Sequence, residues 1–381
     1  MNIVEASTEA RDEAINSLFV PFKYKTLELR NRIVMSPMTR YFSPDGVPGE
    51  DVEEYYRRRA DGEVGLIISE GAFIDRPTAR NVETVPSFAG DALPAWGRIG
   101  RAVSESGARM IPQLWHVGGH RDFNYPNSSC GDELESPSGL IGPDASGGRT
   151  MTADDVDDVI AGFTSAALDA QRLGFAGVEL HGGHGYLFDQ FFWEETNKRN
   201  DRWGGRSVRE RTLFAREVVR SVRSAVGPDF PILLRISQWK TAFYDAKIAG
   251  TPDELQEWVG PLADAGVDIF DCSTRRFFEP EFGGSSLNLA GWVRKITGQP
   301  TITVGSVGLN THLYQDFETG ELSAPTPWTI REVARRLENE EFDLVAVGRS
   351  LLADPGWVRK VKARDFGALR PYSVELMKTL V

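Results

Sequence analysis

Short apolar segments alternate with segments of helical periodicity along most of this chain. The apolar segments cover residues 32–37, 64–69, 109–115, 177–180, 231–236, 267–271, 301–304 and 343–347. Each is nearly continuously apolar, which is typical of a parallel strand buried on both faces. Helical spacing is found at 50–59, 93–105, 152–173, 207–226, from 252, at 289–296 and 329–339, and from 356 onward.

Eight such alternations predict an α/β fold, a single (β/α)8 TIM barrel. A doubly wound parallel sheet is the alternative, but no G-x-G-x-x-G motif follows the first apolar segment. Residues 1–17 are predicted to be an N-terminal arm, and residues 18–381 a single barrel domain with a small hairpin at 21–29. A Gly/Pro/Ser-rich stretch at 118–150 predicts a long loop insertion after strand 3, of a length typical of functional loops.

Composition limits the classes of partner. The formal net charge is -12 without a long basic block, which argues against a nucleic-acid ligand. Two cysteines, Cys130 and Cys272, cannot form a disulfide framework or hold an iron–sulfur cluster. The N-terminal residues are polar, and no apolar run approaches the roughly 18 residues that cross a bilayer. We therefore expect a cytoplasmic protein without a membrane segment.

One glycine-rich turn carries three protic side chains directly after the fourth strand. It contains His181, His184 and Tyr186, and barrels place their chemistry at such strand ends. Two imidazoles can donate hydrogen bonds to one oxygen, and a phenol can deliver a proton. A zinc site with His116 is the competing interpretation, but it lacks a fourth ligand at a recognisable spacing.

Other strand ends predict an anion site and a site for a flat ring. Gly305 and Ser306 follow strand 7, and Gly348 and Arg349 follow strand 8, where barrels often bind phosphate. Thr39, Gln113 and Arg235 could surround a hydrogen-bonding ring. An inward arginine needs a partner, which is either a neighbouring carboxylate or an anionic cofactor ring.

At these positions the sequence resembles the Old Yellow Enzyme family of FMN-dependent ene reductases. The resemblance runs from about residue 18 to 357, and its matching segments are 31–40, 70–71, 113–115, 181–187, 197–205, 304–305 and 347–349. It implies a cofactor site for FMN that contains Pro37, Met38, Thr39, Gly71, Ala72, Gln113 and Arg235 around the ring, and Gly305, Ser306, Gly348 and Arg349 around the phosphate.

The resemblance also implies a reaction. NADH or NADPH would reduce the flavin, whose N5 would pass a hydride to the β-carbon of an α,β-unsaturated carbonyl or nitro compound. His181 and His184 would bind the activating oxygen, and Tyr186 would protonate the α-carbon. Trp115 and Trp239 would shape the substrate site. The cysteine count excludes the larger relatives that reduce dienoyl-CoA, and a homodimer is possible because the family often forms one.

Two alternatives stay open at this point. A flavin-dependent dehydrogenase or demethylase would act on an amine held by an aromatic cage, for which Trp193, Trp239 and Tyr244 are candidates. A barrel without redox chemistry, such as an aldolase or isomerase, would need a catalytic lysine, and Lys240 is the obvious candidate.

Overall fold

The computed structural model describes residues 12–121, 133–241, 243–311 and 313–381. Within these ranges eight parallel strands form a closed barrel. Barrel strands 1 to 8 are Ile33–Met35, Leu66–Phe73, Arg109–Trp115, Val178–His181, Ile232–Ser237, Ile269–Ser273, Thr301–Val304 and Leu344–Val347. Each strand pairs with the next in chain order, and strand 8 pairs with strand 1. The predicted TIM barrel is therefore confirmed.

At least one helix follows each barrel strand along the chain. The helices are Glu50–Asp61, Leu93–Glu105, Ala153–Arg172, Leu187–Phe192, Val208–Arg211, Leu213–Val226, Pro252–Ala265, Leu289–Thr297, Leu313–Thr319, Pro327–Glu338, Arg349–Ala353 and Trp357–Lys362. The helix predicted at 207–226 is divided at Thr212, whose hydroxyl donates to the carbonyl of Arg209 and so competes with helical hydrogen bonding. The predicted final helix is shorter than expected, and the chain after it forms 3₁₀ turns at Phe366–Ala368 and Val374–Lys378. Among the described residues, no helix combines the length and apolar character needed to span a membrane.

An apolar core fills the inside of the barrel. Inward-facing side chains from the strands form one buried cluster, which includes Val34, Leu66, Ile68, Ile111, Leu233, Ile269, Ile302, Val304, Leu344 and Ala346. A hairpin of Phe22–Tyr24 and Leu27–Leu29 adds three of its side chains to the same cluster, as the predicted hairpin leading inward would. Because side chains of a strand alternate in direction, the next inward positions lie two residues further along each strand.

These next positions are polar on four neighbouring strands. They carry Gln113, Glu179, Arg235 and Asp271, all of them buried. Burial of polar groups costs free energy unless they are paired, so each of these four side chains needs a hydrogen-bond or charge partner. It forms the boundary between the apolar core and the space above the barrel.

The insertion after strand 3 is fastened by one buried carboxylate. In its described part, Glu135–Ser136 pairs with Arg149–Thr150, and Leu140–Gly142 pairs with Ala145–Ser146. Glu135 accepts hydrogen bonds from Arg76, Thr78 and Arg149. Burial opposes its ionisation, but hydrogen bonds from His116, Arg76 and Thr78 prevail and lower the pKa of Glu135 to about 2. The loop is thus anchored to the barrel by Glu135, which stays ionised at neutral pH. Cys130 lies outside the described residues.

The N-terminal part of the described chain packs on the barrel. A 3₁₀ helix at Ile15–Phe19 buries Ile15 and Leu18, and the hydroxyl of Ser17 donates to the carbonyl of Ala334 at 3.0 Å. The predicted boundary between arm and domain at residue 17 falls inside this helix, and residues 1–11 lie outside the described ranges. The division into an arm and a single domain stays a prediction.

Candidate active site

A cavity of about 520 Å³ lies at the carboxyl ends of the strands. This volume is in the usual range for small-molecule and cofactor sites. The predicted site residues that line it are Pro37, Met38, Thr39, Gln113, Trp115, His181, His184, Tyr186, Arg235, Trp239, Gly305, Ser306, Gly348 and Arg349. The structure therefore brings together residues from six strand ends that are far apart in the sequence.

Gly71 and Ala72 do not belong to this lining. A side chain at Gly71 would place its Cβ 2.5 Å from the Trp115 ring, so the glycine lets the indole lie flat against strand 2. Ala72 is fully buried in the outer core, on the side that faces the helices. A β-bulge between Ile68 and Gly71 changes the register here, which no local sequence signal predicts. Their predicted contacts with a ring are not supported by this arrangement.

The turn after strand 4 is held in a strained conformation. His184 has a φ of 64°, an uncommon value for a residue with a side chain. The hydroxyl of Ser237 accepts from its backbone N–H at 2.7 Å, and the backbone and hydroxyl of Thr241 both donate to its carbonyl. This backbone strain is stabilised by three hydrogen bonds, which fix where the imidazole points.

A buried ion pair supports the same turn. Lys240 lies 2.8 Å from Asp189, which also accepts from the backbone of Gly185. Lys240 is 1% exposed, packs over the Trp193 ring and does not line the cavity. It therefore offers no free amine to a substrate, as an aldolase would require.

Aromatic rings form one wall of the cavity. The ring of Tyr186 contacts those of Trp115 and His181 edge-on, with centroids 4.8 and 4.9 Å apart. Trp115 also stacks on His181 at 5.8 Å. These contacts hold the phenol and the imidazole side by side, facing the same space.

Both cavity histidines are neutral near pH 7. Burial, followed by the charge of Arg235, holds the pKa of His181 well below its ordinary value, and the same two causes act on the pKa of His184. Nε2 of His184 is 2.8 Å from the hydroxyl of Ser273, a residue at the end of strand 6. Nδ1 of His181 is buried without a protein partner among the described residues. His116, the third histidine of the zinc interpretation, instead hydrogen-bonds to Glu135 and to the backbone of Gly118.

A second row of contacts in the cavity lining runs from His184 to the guanidinium of Arg275. Trp239 stacks on His184 at 4.3 Å and meets Tyr244 edge-on at 5.7 Å. The guanidinium of Arg275 lies over the Tyr244 ring at 3.7 Å. Trp193 does not line the cavity, so the three-membered aromatic cage predicted for an amine is not assembled.

Two residues of the polar layer, Gln113 and Arg235, line the cavity. NH1 of Arg235 donates to Asp271 at 2.8 Å and to the hydroxyl of Ser36 at 3.3 Å. Nε of Arg235 is buried without a partner among the described residues. The sequence predicted either a carboxylate partner or a ligand for this arginine. The structure shows the carboxylate, Asp271, and leaves the N–H group of Nε available to a ligand.

At the predicted anion site, the guanidinium of Arg349 is bound by the protein itself. Arg349 forms an ion pair with Asp316 and donates to the hydroxyl of Ser306 and the carbonyl of Thr311. Both terminal nitrogens of the guanidinium are therefore engaged by the protein. Ser306 has a φ of 56°, so this loop, like that of His184, is held in a left-handed conformation.

The loop after strand 1 is anchored by a buried glutamate. Glu70 accepts from the backbone N–H of Arg40 at 2.8 Å, and its second oxygen is buried without a partner among the described residues. Burial raises the pKa of Glu70 from 4.5 to about 7. The residues of this loop, Pro37 to Tyr41, supply part of the cavity wall.

Glu70→Gln is expected to remove a pH dependence of stability. Between pH 4.5 and 7 the folded protein keeps a proton on Glu70 that the unfolded chain has released. The free energy of unfolding of the wild type should therefore fall as the pH rises through this window, by roughly 3 kcal/mol from this residue. Urea unfolding of both proteins at about pH 5 and about pH 8 measures the difference. An identical change in both proteins would show that Glu70 titrates normally.

Comparison with known proteins decides the family. The model of the NADH:flavin oxidoreductase / NADH oxidase family matches residues 17–365. The chain belongs to this family. An NADH oxidase of Thermoanaerobacter brockii is 32% identical over 362 residues, which are 91% of this chain and 50% of that protein. An NADPH dehydrogenase of Halalkalibacterium halodurans is 29% identical over 357 residues, covering 91% and 94% of the two chains.

A solved relative supports the same assignment. The structure of morphinone reductase in complex with tetrahydroNAD superposes with a TM-score of 0.77 at 26% identity, covering 95% of this chain and 94% of that one. The Old Yellow Enzyme resemblance is thereby confirmed, as are FMN and a nicotinamide reductant at the level of the family. The chain spans about half of the length of the NADH oxidase it matches.

The residues present fit FMN. A flavin ring needs both donors and acceptors at its edge, and Thr39, Gln113 and the unpaired Nε of Arg235 supply them in the cavity wall. Gly348 leaves room at the anion end, because a Cβ there would meet Met38 only at 3.4 Å. The family assignment and this donor set agree with each other.

Proposed function

We propose that the protein reduces the C=C bond of α,β-unsaturated carbonyl or nitro compounds, with FMN as cofactor and NADH or NADPH as reductant. The observation that carries the proposal is the convergence of Tyr186 with two neutral imidazoles on one cavity. The names of the matched relatives, NADH oxidase, NADPH dehydrogenase and morphinone reductase, are consistent with nicotinamide-linked reduction.

The cofactor would be held at two ends of the cavity. Pro37, Met38, Thr39, Gln113 and Arg235 would contact the ring, and Gly305, Ser306, Gly348 and Arg349 would surround the phosphate. Arg349 would contribute chiefly through its backbone and Nε, because its terminal nitrogens are engaged. When bound, FMN would supply the redox chemistry, which is hydride transfer from the nicotinamide to the β-carbon of the alkene.

The chain's own residues would do the rest. His181 and His184 would donate hydrogen bonds to the carbonyl or nitro oxygen, where negative charge develops in the transition state. Tyr186 would deliver the proton to the α-carbon, and its position is fixed by Trp115 and His181. Trp115 and Trp239 would exclude water and limit the size of the substrate. A cytoplasmic location and a homodimer remain proposals of the same kind.

Amine oxidation is less well supported by this site. The Tyr244 face that would bind a substrate cation already carries the guanidinium of Arg275 at 3.7 Å. A second cation at this place would be repelled, and Trp193 is absent from the cavity lining.

An anaerobic titration tests the proposal. We expect the purified protein to be yellow, to bleach with NADPH or NADH, and to regain its colour with 2-cyclohexenone. Bleaching by an amine but by neither nicotinamide would instead favour the dehydrogenase. Protein that stays colourless after addition of FMN would remove the flavin assignment.

A further inference from the structure

Two acids share one cation in the interior of the barrel. Glu179 on strand 4 and Asp271 on strand 6 are both fully buried, and they flank Arg235 on strand 5. Arg235 contacts Asp271, whereas Glu179 receives its hydrogen bond from the neutral amide of Gln113 at 2.7 Å. If both acids were ionised, one positive charge would face two negative charges away from water. Such a layer would be strongly unfavourable.

The hydrogen bonds leave one oxygen unused on each acid. Oε1 of Glu179 accepts from Gln113, and Oδ2 of Asp271 accepts from Arg235. The remaining oxygens, Oε2 and Oδ1, are buried and have no donor among the described residues. A hydrogen bond between the two side chains acts to raise the pKa of Glu179 and to lower the pKa of Asp271. Two ionised carboxylates have only acceptors, so a single proton between these oxygens would satisfy both.

The surroundings favour placing this proton on Glu179. Burial, and then the charge of Asp271, raise the pKa of Glu179 well above its ordinary value. Asp271 has the guanidinium as direct partner, and that contact favours its ionised form. The layer then contains a neutral acid, an anion and a cation, with no net charge.

We propose that Glu179 is a carboxylic acid that donates its proton to Asp271, and that this pair limits how much of the Arg235 charge acts on the flavin ring. The first half concerns the protein alone, and the second rests on the proposed function. Both acids are positioning residues, because they act through Arg235 and Gln113 and do not line the cavity. Added electrons on a ring beside Arg235 are favoured by its cation and disfavoured by the Asp271 anion.

Infrared difference spectroscopy tests the first half on the full-length protein as purified. At about pH 8, a pH at which ordinary carboxyl groups are ionised, the wild type should show the carbonyl band of a protonated acid. The band should be lost in Glu179→Gln, and flavin bands cancel in the difference spectrum. Glutamine accepts from Gln113 and donates to Asp271 as the acid does, so this variant keeps both hydrogen bonds. Absence of the band from the wild type would overturn the proton assignment, whether or not flavin is bound.

The midpoint potential of the bound flavin tests the second half. Glu179→Gln should leave the potential unchanged, because it replaces a neutral group with a neutral group. The double variant Glu179→Gln/Asp271→Asn removes the anion and should shift the potential to a more positive value. A shift in Glu179→Gln as large as in the double variant would show that Glu179 carries charge and would overturn the proposal. An unchanged potential in the double variant would overturn the role assigned to the pair.

If the double variant does not fold, Asp271→Asn alone is used, with the infrared band and the potential measured together. If the band persists, Glu179 is still neutral and the potential should shift to a more positive value. If the band disappears, the negative charge has moved to Glu179 and the potential should stay near that of the wild type. A persistent band with an unchanged potential would overturn the role assigned to the pair.

Discussion

Tyr186→Phe is expected to lower the rate of alkene reduction by roughly 10²–10⁴-fold, the usual contribution of a general acid. Reduction of the flavin by the nicotinamide should stay near the wild-type rate, because that step needs no proton from the phenol. The change removes one oxygen and keeps the ring, so the contacts with Trp115 and His181 are preserved. Stopped-flow absorbance of each half-reaction, measured separately, gives both rates.

The choice of substrate supplies the control for this variant. A nitroalkene forms a stabilised anion that can be protonated by water after hydride addition, so its reduction should suffer less than that of 2-cyclohexenone. Equal losses in the two half-reactions would point to a disturbed cavity and would rule out the proton-donor role. If Tyr186→Phe lowers the rates of nitroalkene and 2-cyclohexenone reduction equally, the lower rate does not come from a missing proton donor.

The strands and the location of the site could be predicted because they depend on local pattern and topology. An apolar segment such as 231–236 marks a strand buried on both faces, and the closed barrel then brings all strand ends to one side. His181 and Gly305 could therefore be placed in one site without any knowledge of their distance. The start of the helix predicted at 152–173 is equally local, because Thr152 and Asp155 form a capping box there.

The partners of these residues could not be predicted in the same way. Asp316 reaches Arg349 from a separate helix, and Gly71 is needed for the Trp115 ring, contacts that depend on packing between elements. Ser273 is the last residue of strand 6 and Arg275 follows it, and this strand end carries no glycine or histidine that would indicate a site. Applying the strand-end rule to every strand would have included both.

The contacts of the C-terminal segment could not be predicted from the sequence either. Met377 lines the cavity although it lies more than 20 residues after the last strand. Arg40 holds this segment by donating to the carbonyls of Leu376 and Met377, so a residue of the first loop positions one of the last turns. No periodicity in the sequence reports such a contact between distant segments.

Removing the imidazole of His181 is expected to reduce kcat/KM for 2-cyclohexenone by roughly 10²–10³-fold, the effect of losing one donor to a developing oxyanion. His184→Ala should have a comparable effect, whereas His184→Asn keeps a donor and should lose far less. The rate of flavin reduction serves as the internal reference in each variant.

The protonation state of His181 and His184 predicts how alkene reduction depends on pH. Because burial and Arg235 hold the pKa of both imidazoles below the ordinary value of 6.5, they stay neutral as the pH falls from 8 towards 6.5. Alkene reduction by the wild type should therefore show no inflection from histidine in this range. A rate that changes with a pKa near 6.5, and loses that change in His181→Ala, would mean that the imidazole acts as a cation. The surroundings of His184 argue against this, because burial and the nearby charges of Arg235 and Lys240 lower the pKa of its imidazole.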